Sequence, residues 1–420
     1  MKVWILQTGE PLHCDGGSPR PMRAMNLADA MVAAGHEVRL WSSAFYHQEK
    51  RQRCTQFQSI VIHPTLTIEL IPSPGYRRNV GPDRLFDHAV LARNLKARLR
   101  EVPPREYPDV VFAGYPPIET AAVMLRWAKK RAIPTVIDVK DQWPALFVEA
   151  FPAALRPLAR IAFEPYFFLA RRALRDATAF CSMSDAFVDW MANFAGRART
   201  ARDIVAPLSS PRPKVDAESL VLARQWWQSQ GVDLDDPRRF AFVGSVSRAF
   251  DFEPIRYAAE RMQRDGVRGQ FVLCGTGDEL ESVRSSMSGL RNVVFPGWVD
   301  QPKIETLTAA CAAMLAPYRS TENFTRNVPN KIVDAFAAGL PVVSGLDGEV
   351  RRLLEEQGTG VYVPDAESFD AALRRLLDDA EMRSTMGRRS RELYQRRFAF
   401  DRVYGDLVAA LERLGSPRDG

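Results

Sequence analysis

The sequence predicts an α/β protein of two domains, each an open and mostly parallel sheet with helices on both faces. Three observations lead there. Short apolar runs alternate with amphipathic helical patterns, a stretch rich in Pro and Ser interrupts the alternation near mid-chain, and the alternation then restarts. At 420 residues, 46% of them hydrophobic, the chain is too long for one core, and two domains of roughly 200 residues are expected.

The first strand is "KVWILQT". Polar and Gly residues interrupt it too soon for a signal-peptide hydrophobic core, so it reads as a buried strand. A Gly-rich turn leads to the helix "MRAMNLADAMVAAG" and the strand "EVRLWSS", followed by "DVVFAG", the helix "IETAAVMLRWAKKR", "IPTVIDV" and "ATAFCSM". Parallel neighbours need long crossovers, and the helices supply them. The segment "APLSSPRPKVDAES", residues 206–219, is the expected linker. Beyond it come "RFAFVGS", the helix "FEPIRYAAERMQRDG", "GQFVLCGTG", the helix "DELESVRSSMSG", "NVVFPGW", "CAAMLAPY", a helix from Asn330, "LPVVSG" and "GTGVYV". The tail "FAFDRVYGDLVAALERL" is a long amphipathic helix. The boundaries drawn are 1–207 with the tail helix 400–416, a linker and lead-in helix over 208–237, and a second domain over 238–399. Two such Rossmann-like units facing each other would bring the carboxyl ends of both sheets to one cleft, where ligands of these folds bind.

Composition excludes several classes. No run approaches the ~20 apolar residues of a spanning helix. The five cysteines are scattered without a CxxC pair, which implies a reduced, cytoplasmic protein without structural zinc. The net charge of +6 suits an anionic partner, either a nucleotide diphosphate or an anionic membrane surface. Zinc-finger, RRM and KH signatures are missing, so nucleic acid is not expected.

Candidate chemistry gathers at strand ends. The first βα turn, "TGEPLHCDGGSPRPMR", lacks the GxGxxG spacing of a dinucleotide fingerprint. Gly16 and Gly17 let a ligand approach backbone, the helix amides beyond suit an anion, and Arg20 and Arg23 add charge. Two surface arginines on a long loop explain that pair equally well. "GTGDEL" lacks a third Gly and reads as a turn, with Asp278 capping the next helix. Gly244 closes "FVG", and Arg248 follows it, placed for a diphosphate or simply solvated. The stretch "NVPNKIVDAFAAGLPVVSG" starts a helix with Pro329, Asn330 and Lys331 at the carboxyl edge of a parallel sheet. A helix N-terminus carries partial positive charge and Lys331 adds a full one, while Asp334 one turn on could hold ribose hydroxyls. Singly, each is more readily an ordinary first-turn residue on an exposed face.

The blocks "GGSPRPMRAMNLADAMVAAGHEVRLWSS", "FVGSVSRAFDFEPIRYAAE", "FVLCGTGDELESV…NVVFPGWVD" and "NVPNKIVDAFAAGLPVVSG" resemble, in that order, the segments of glycosyltransferase family 4. These are retaining enzymes of the GT-B fold that use nucleotide-sugar donors. The "PNK…D…AAG.PV" form is similar to the bacterial subgroup that builds O-antigen, capsule and exopolysaccharide. The resemblance covers nearly the whole chain, including a C-terminal helix that crosses back to the N-terminal domain. It implies that Gly16, Gly17 and Gly244 face the donor, that Arg248 and Lys331 bind the diphosphate, and that Gly297, Trp298 and Val299 hold the base through backbone groups. Asn330 and Asp334 join the donor site, Asp334 as the second acid of the family's Glu-to-Glu motif. Asp141 is the catalytic candidate on the acceptor side, beside Asp138, Arg20 and Arg23.

Two positions depart from the family pattern. Arg326 stands where the first acid of the motif belongs, with Glu322 the nearest acid, and "IDVKDQWP" replaces a frequent His at an N-terminal-domain strand end. The resemblance implies front-face chemistry without a protein nucleophile, and no DxD metal motif ends a strand, so no metal or other cofactor is expected. The expected partners are a nucleotide-sugar donor and a glycan or lipid-linked acceptor. An epimerase of the same fold and a non-catalytic nucleotide-sugar-binding subunit are the alternatives. Finally, Phe151 to Asp176 interleaves Arg156, Arg160, Arg171, Arg172 and Arg175 with Leu155, Leu158, Ile161, Phe163 and Phe167. That pattern suits a peripheral contact at the inner face of an anionic membrane, or a helix pair covering the sheet with arginines in solvent.

Overall fold

The computed structural model describes residues 1–416 except 18, 19, 80 and 213, so two positions of the Gly-rich turn and one of the expected linker lie outside the described residues. Two compact units result: Met1–Ser210 with Asp401–Gly420, and Pro211–Phe400.

The first unit holds β1 (Lys2–Leu6), β2 (Glu37–Ser43), β3 (Phe45–Tyr46), β4 (Arg51–Gln52), β5 (Gln58–His63), β6 (Leu66–Ile71), β7 (Val110–Tyr115), β8 (Thr135–Val139), β9 (Ala179–Ser182) and β10 (Ile204–Val205). Eight of these form one sheet in the order β10-β9-β8-β7-β1-β2-β6-β5, while β3 and β4 pair as a separate ribbon. All neighbours in the large sheet are parallel except β5 and β6. The central strands are buried end to end, as expected where helices cover both faces. Trp4 on β1 stacks on Trp127 at 5.0 Å and tilts against Trp41 at 5.0 Å. The indole N–H of Trp127 donates to the Leu99 carbonyl at 2.9 Å, so this large ring is buried without an orphan donor.

Strand order reverses at β1. The chain builds outward through β2 and β6, then returns to place β7 on the other side. A doubly wound sheet opens a crevice at such a reversal. The helix that follows β1, Arg23–Ala33, has no side-chain cap from Met22. Instead Glu10 reaches back from the preceding loop and accepts the Ala24 N–H at 2.8 Å. The tail helix from Phe400 to Gly415 belongs with this unit from Asp401 onward. Its Glu412 lies 2.8 Å from His36, and its Tyr404 hydroxyl accepts from Asn26 at 3.3 Å.

The second unit holds β11 (Arg239–Val243), β12 (Gln270–Cys274), β13 (Val293–Gly297), β14 (Ala313–Leu315), β15 (Val342–Ser344) and β16 (Gly360–Tyr362), ordered β13-β12-β11-β14-β15-β16. Every pair is parallel. Order reverses again, between β11 and β14. A helix at Ala217–Ser229 precedes β11, capped by Asp216, whose side chain accepts the Ser219 N–H at 2.8 Å. Its Trp227 is buried, and the indole N–H donates to the Lys303 carbonyl at 3.0 Å. Among the described residues, no helix is long and apolar enough to cross a membrane.

Arg23 and Asp138 are both buried and form an ion pair at 3.2 Å beneath the β1 reversal. Burial opposes the Arg23 charge, yet Asp138 and the further negative groups around it raise its pKa above the ordinary value. An ion that has lost water must keep its partner. Arg23→Met is therefore expected to destabilise the first unit by about 3 kcal/mol, read as a lower midpoint in urea. An unchanged midpoint would show that the pair is dispensable.

Candidate functional site

The second unit gathers its candidates at the β11–β14 reversal. The helix Asn330–Ala338 starts at Pro329, whose extended backbone serves as N-cap without a side-chain hydrogen bond to the first turn. Its N-terminal amides are thus presented without a side-chain cap, which an anion can use. Gly339 ends the helix in the left-handed region at φ 72°, letting the Gly339 and Leu340 N–H groups bond back to Phe336 and Ala335, both at 3.0 Å. The abrupt stop returns the chain at once into β15.

Lys331, in that first turn, is half-buried. Its ammonium lies 5.2 Å from the Phe242 ring centroid and 5.1 Å from that of Phe250. The aromatic faces favour the cation and hold it over the end of β11. Gly244 makes room for it. At φ 144°, a Cβ on residue 244 would sit 1.6 Å from the Lys331 Nζ. These two sequence candidates are brought together, and the contact requires glycine.

Arg248 is placed differently. Its side chain is 93% exposed, and its Nε donates to Glu279 at 2.9 Å. It borders a cleft with Ser247, Asp251, Ser282 and Arg319, and Phe250 is the wall this cleft shares with Lys331. Asp278 does not cap the next helix. That helix runs Leu280–Ser286 after Glu279 without a side-chain cap, because Glu279 is engaged with Arg248.

Asp334 is half-buried one turn after Lys331. Arg212 donates to its backbone carbonyl at 2.9 Å and stands 4.0 Å from its carboxylate. Burial, then the Asp334 charge, push the Tyr318 hydroxyl pKa up, which places that carboxylate near the phenol. Asn330 is exposed at the helix start. Gly297 ends β13, and after it Trp298 is 70% exposed while the Val299 side chain is buried, leaving only Val299 backbone to a ligand. Arg326 forms an ion pair with Glu322 at 3.0 Å, so the acid and the base that departs from the family pattern engage each other.

In the first unit the candidates separate. Gly16 and Gly17 lie exposed with open space beside them. Arg20 is exposed, and its Nη2 donates to Ser210 Oγ at 3.1 Å. Arg23 and Asp138 are not surface groups but the buried pair, which removes them as direct contacts to an acceptor. The Ala24 amide of helix Arg23–Ala33 is also taken from an outside anion, since Glu10 already accepts it. Asp141 does line a cleft, at the carboxyl ends of β1, β2, β7 and β8.

That cleft contains residues the sequence reading passed over: Glu10, His47, Tyr76, Arg84, His88 and Lys140. Lys140 pairs closely with Glu10 and stands 3.7 Å from Asp138. Arg84 lies over the Tyr76 and Trp143 rings, at 5.3 and 4.6 Å. His47 Nδ1 meets the Tyr76 hydroxyl at 2.5 Å. Burial, then Lys50 and Arg84, lower the His47 pKa to about 4; burial, then Arg84 and His47, lower that of His88 to about 3. Both imidazoles are neutral near pH 7 and can donate and accept hydrogen bonds without adding charge. The available signal was position alone, because Lys140 directly follows β8 and Glu10 lies in the loop after β1. Among the described residues, no group of three or more His, Cys, Asp or Glu is placed to hold a metal ion.

Comparison with known proteins bears on this arrangement. The family model described as Glycosyl transferase 4-like domain matches residues 21–207, and that described as Glycosyl transferases group 1 matches residues 237–379. The alpha-D-kanosaminyltransferase of Streptomyces kanamyceticus is 26% identical over 249 residues, 58% of this chain. The match spans 62% of that relative's own length. Anabaena Alr3699/HepE in complex with UDP superposes with a TM-score of 0.64 at 15% identity, covering 98% of this chain and 99% of that one. A further structure of that protein holds UDP-glucose. WaaG, a glycosyltransferase involved in lipopolysaccharide biosynthesis, gives 0.63 at 16% identity, covering 98% of this chain and 99% of its own. These likenesses in structure concern the fold, which is GT-B. The two family models between them take in both units, and the chain belongs to the glycosyltransferases of family 4.

Proposed function

We propose that the protein is a retaining glycosyltransferase that moves a sugar from a nucleotide-diphosphate donor to a glycan or lipid-linked acceptor in bacterial surface-polysaccharide synthesis. It would work at the inner face of the cytoplasmic membrane. The observation that carries the reading is the Lys331 ammonium, seated over Gly244 at the uncapped N-terminus of helix Asn330–Ala338. A full positive charge and the positive end of a helix at a sheet reversal suit a departing diphosphate. Support for the donor class comes from the UDP and UDP-glucose complexes of the Anabaena protein. The polysaccharide role draws on the lipopolysaccharide function given for WaaG.

In this reading the C1–O bond to the diphosphate breaks with its electron pair leaving on the nucleotide. Lys331 and the helix amides meet that charge, with Arg248 adding a mobile cation after it leaves Glu279. The acceptor hydroxyl adds to C1 from the same face and passes its proton to a diphosphate oxygen. Asp141, on the cleft of the first unit, orients the acceptor hydroxyl. Asp334 holds the ribose, and Trp298 with the backbone of Gly297 and Val299 takes the base. The diphosphate charge is balanced by side chains and amides of this chain, so a metal is not required.

The Glu322–Arg326 pair favours a second reading, a nucleotide-sugar-binding subunit without turnover. Multiple-turnover release of nucleoside diphosphate from a panel of donors, with proton NMR of the product anomer, separates the two. A purified protein that binds donor but never turns over, with any acceptor tried, would establish the second.

Lys331→Ala is expected to lower kcat/KM about 30-fold, or about 2 kcal/mol of transition-state stabilisation, and Arg248→Ala by a comparable factor. Wild-type rates in both variants would show the diphosphate assignment to be wrong. Asp334→Asn should weaken nucleoside-diphosphate binding in calorimetry while leaving the thermal midpoint in place. Unchanged affinity would remove the ribose role.

A further inference from the structure

The segment following β8 departs from ordinary burial. The short helix Arg156–Ala162 has Ala159 as its one buried residue, whereas a surface helix normally hides an apolar stripe. Leu158 and Ile161 on it are 66% and 72% exposed, and Phe168 on the following helix, Glu164–Asp176, is 60% exposed. Phe151 and Leu155 are exposed too. Large apolar side chains gathered in one short stretch are uncommon on a surface that meets only water.

Charge at this face has one dominant sign. Between 151 and 176 the chain carries five arginines against Glu164 and Asp176; Asp176 is paired with Lys129 at 2.6 Å, and Glu164 is shared by Arg171 and by Arg160 at 3.8 Å, which leaves an excess of positive charge. Arg160 lies with its guanidinium 3.4 Å from the Phe167 ring centroid, and Arg156 donates to the Phe151 carbonyl at 3.2 Å. Cations are therefore held at the base of the apolar residues. A two-fold contact with a second copy would set this basic face against itself. An anionic bilayer complements both parts, with phosphates for the arginines and acyl chains for the apolar groups.

The segment also connects to the first unit's cleft. Phe163 stacks on Phe147 at 5.4 Å, Phe147 meets Trp143 at 4.4 Å, and Trp143 lies 5.7 Å from His88 and under Arg84. A row of rings thus joins the exposed hairpin to the wall that carries His88 and Arg84.

We propose that residues 151–168 dock the first unit on an anionic bilayer, with Leu155, Leu158, Ile161 and Phe168 entering the headgroup boundary, and that the adjoining cleft thereby receives a lipid-borne acceptor. The second half rests on the transferase reading; the docking itself does not. Binding by this face has an electrostatic part that salt screens and an apolar part that it does not.

The test is flotation with vesicles of phosphatidylcholine, with and without phosphatidylglycerol, at low and high salt. Wild-type protein should float with the anionic vesicles, less at high salt but still measurably. Leu158→Glu with Ile161→Glu should reduce that binding about tenfold at low salt, and Leu158→Ser with Ile161→Ser is the milder second pair. No flotation of the wild type, equal flotation of both variant pairs, or equal binding to neutral vesicles overturns the proposal. So does a dimer in light scattering that the variants abolish while vesicles are ignored, since a second copy then covers the face. A thermal midpoint measured alongside reports a folded protein, and turnover of the donor panel separates the two readings. Donor turnover without flotation sinks the docking alone, and flotation by a folded protein that turns over no donor of the panel sinks the transferase reading alone.

Discussion

Four charges beneath the β1 reversal organise the first unit. Asp138 at the end region of β8 is buried and needs a cation; Arg23 at the head of the following helix supplies it at 3.2 Å. Lys140 bridges toward Asp138 at 3.7 Å and pairs with Glu10, and Glu10 in turn closes the helix amides at Ala24. The Arg23 guanidinium also donates to the Ala206 carbonyl at 2.6 Å, next to the end of the last strand. Loops from β1 and β8, a helix start and the exit from β10 are thus tied to one desolvated cluster. Leaving any member unpartnered would strand a buried charge, so the strand ends that line the cleft are held as a set.

The two units use the same topological device in opposite ways. In the first, the helix after the reversal has its N-terminus neutralised internally by a carboxylate from its own chain. In the second, the N-cap Pro329 gives the corresponding positive end no side-chain hydrogen bond, and Lys331 reinforces that end. One reversal has been turned into a scaffold, the other kept as an electrostatic receptor. At the first helix the difference lies in a single reach-back by Glu10 to the Ala24 amide.

This contrast also explains what could be read from the amino acids. Alternation of apolar runs and helical patterns marks both sheets, and the Asn330 helix announces itself locally through Pro329, Lys331, Asp334 and Gly339. These signals lie within one or two turns of each other. The cleft of the first unit has no such local signature, since Glu10 and Lys140 are 130 positions apart and meet only when the sheet forms. For the same reason Arg23 resembled a ligand arginine until burial showed its partner to be Asp138. Short-range chemistry survives in a linear reading; chemistry assembled across strands does not. The exposed hairpin is intermediate, because its interleaved pattern fits either orientation and only the outward direction of Leu158 and Ile161 decides between them.

The Gly244–Lys331 contact carries a consequence for how such a receptor can be silenced. The space occupied by the ammonium is the space a single methyl group on the backbone would claim. Volume and backbone conformation therefore act here beside charge: φ 144° at residue 244 strains any side chain, and the Lys331 ammonium would have to shift. A chain could retain each cation, each amide and each aromatic wall and still have to move the Lys331 ammonium to make room for one added carbon. Residues 244 and 331, which lie 87 positions apart in sequence, are thus coupled through space.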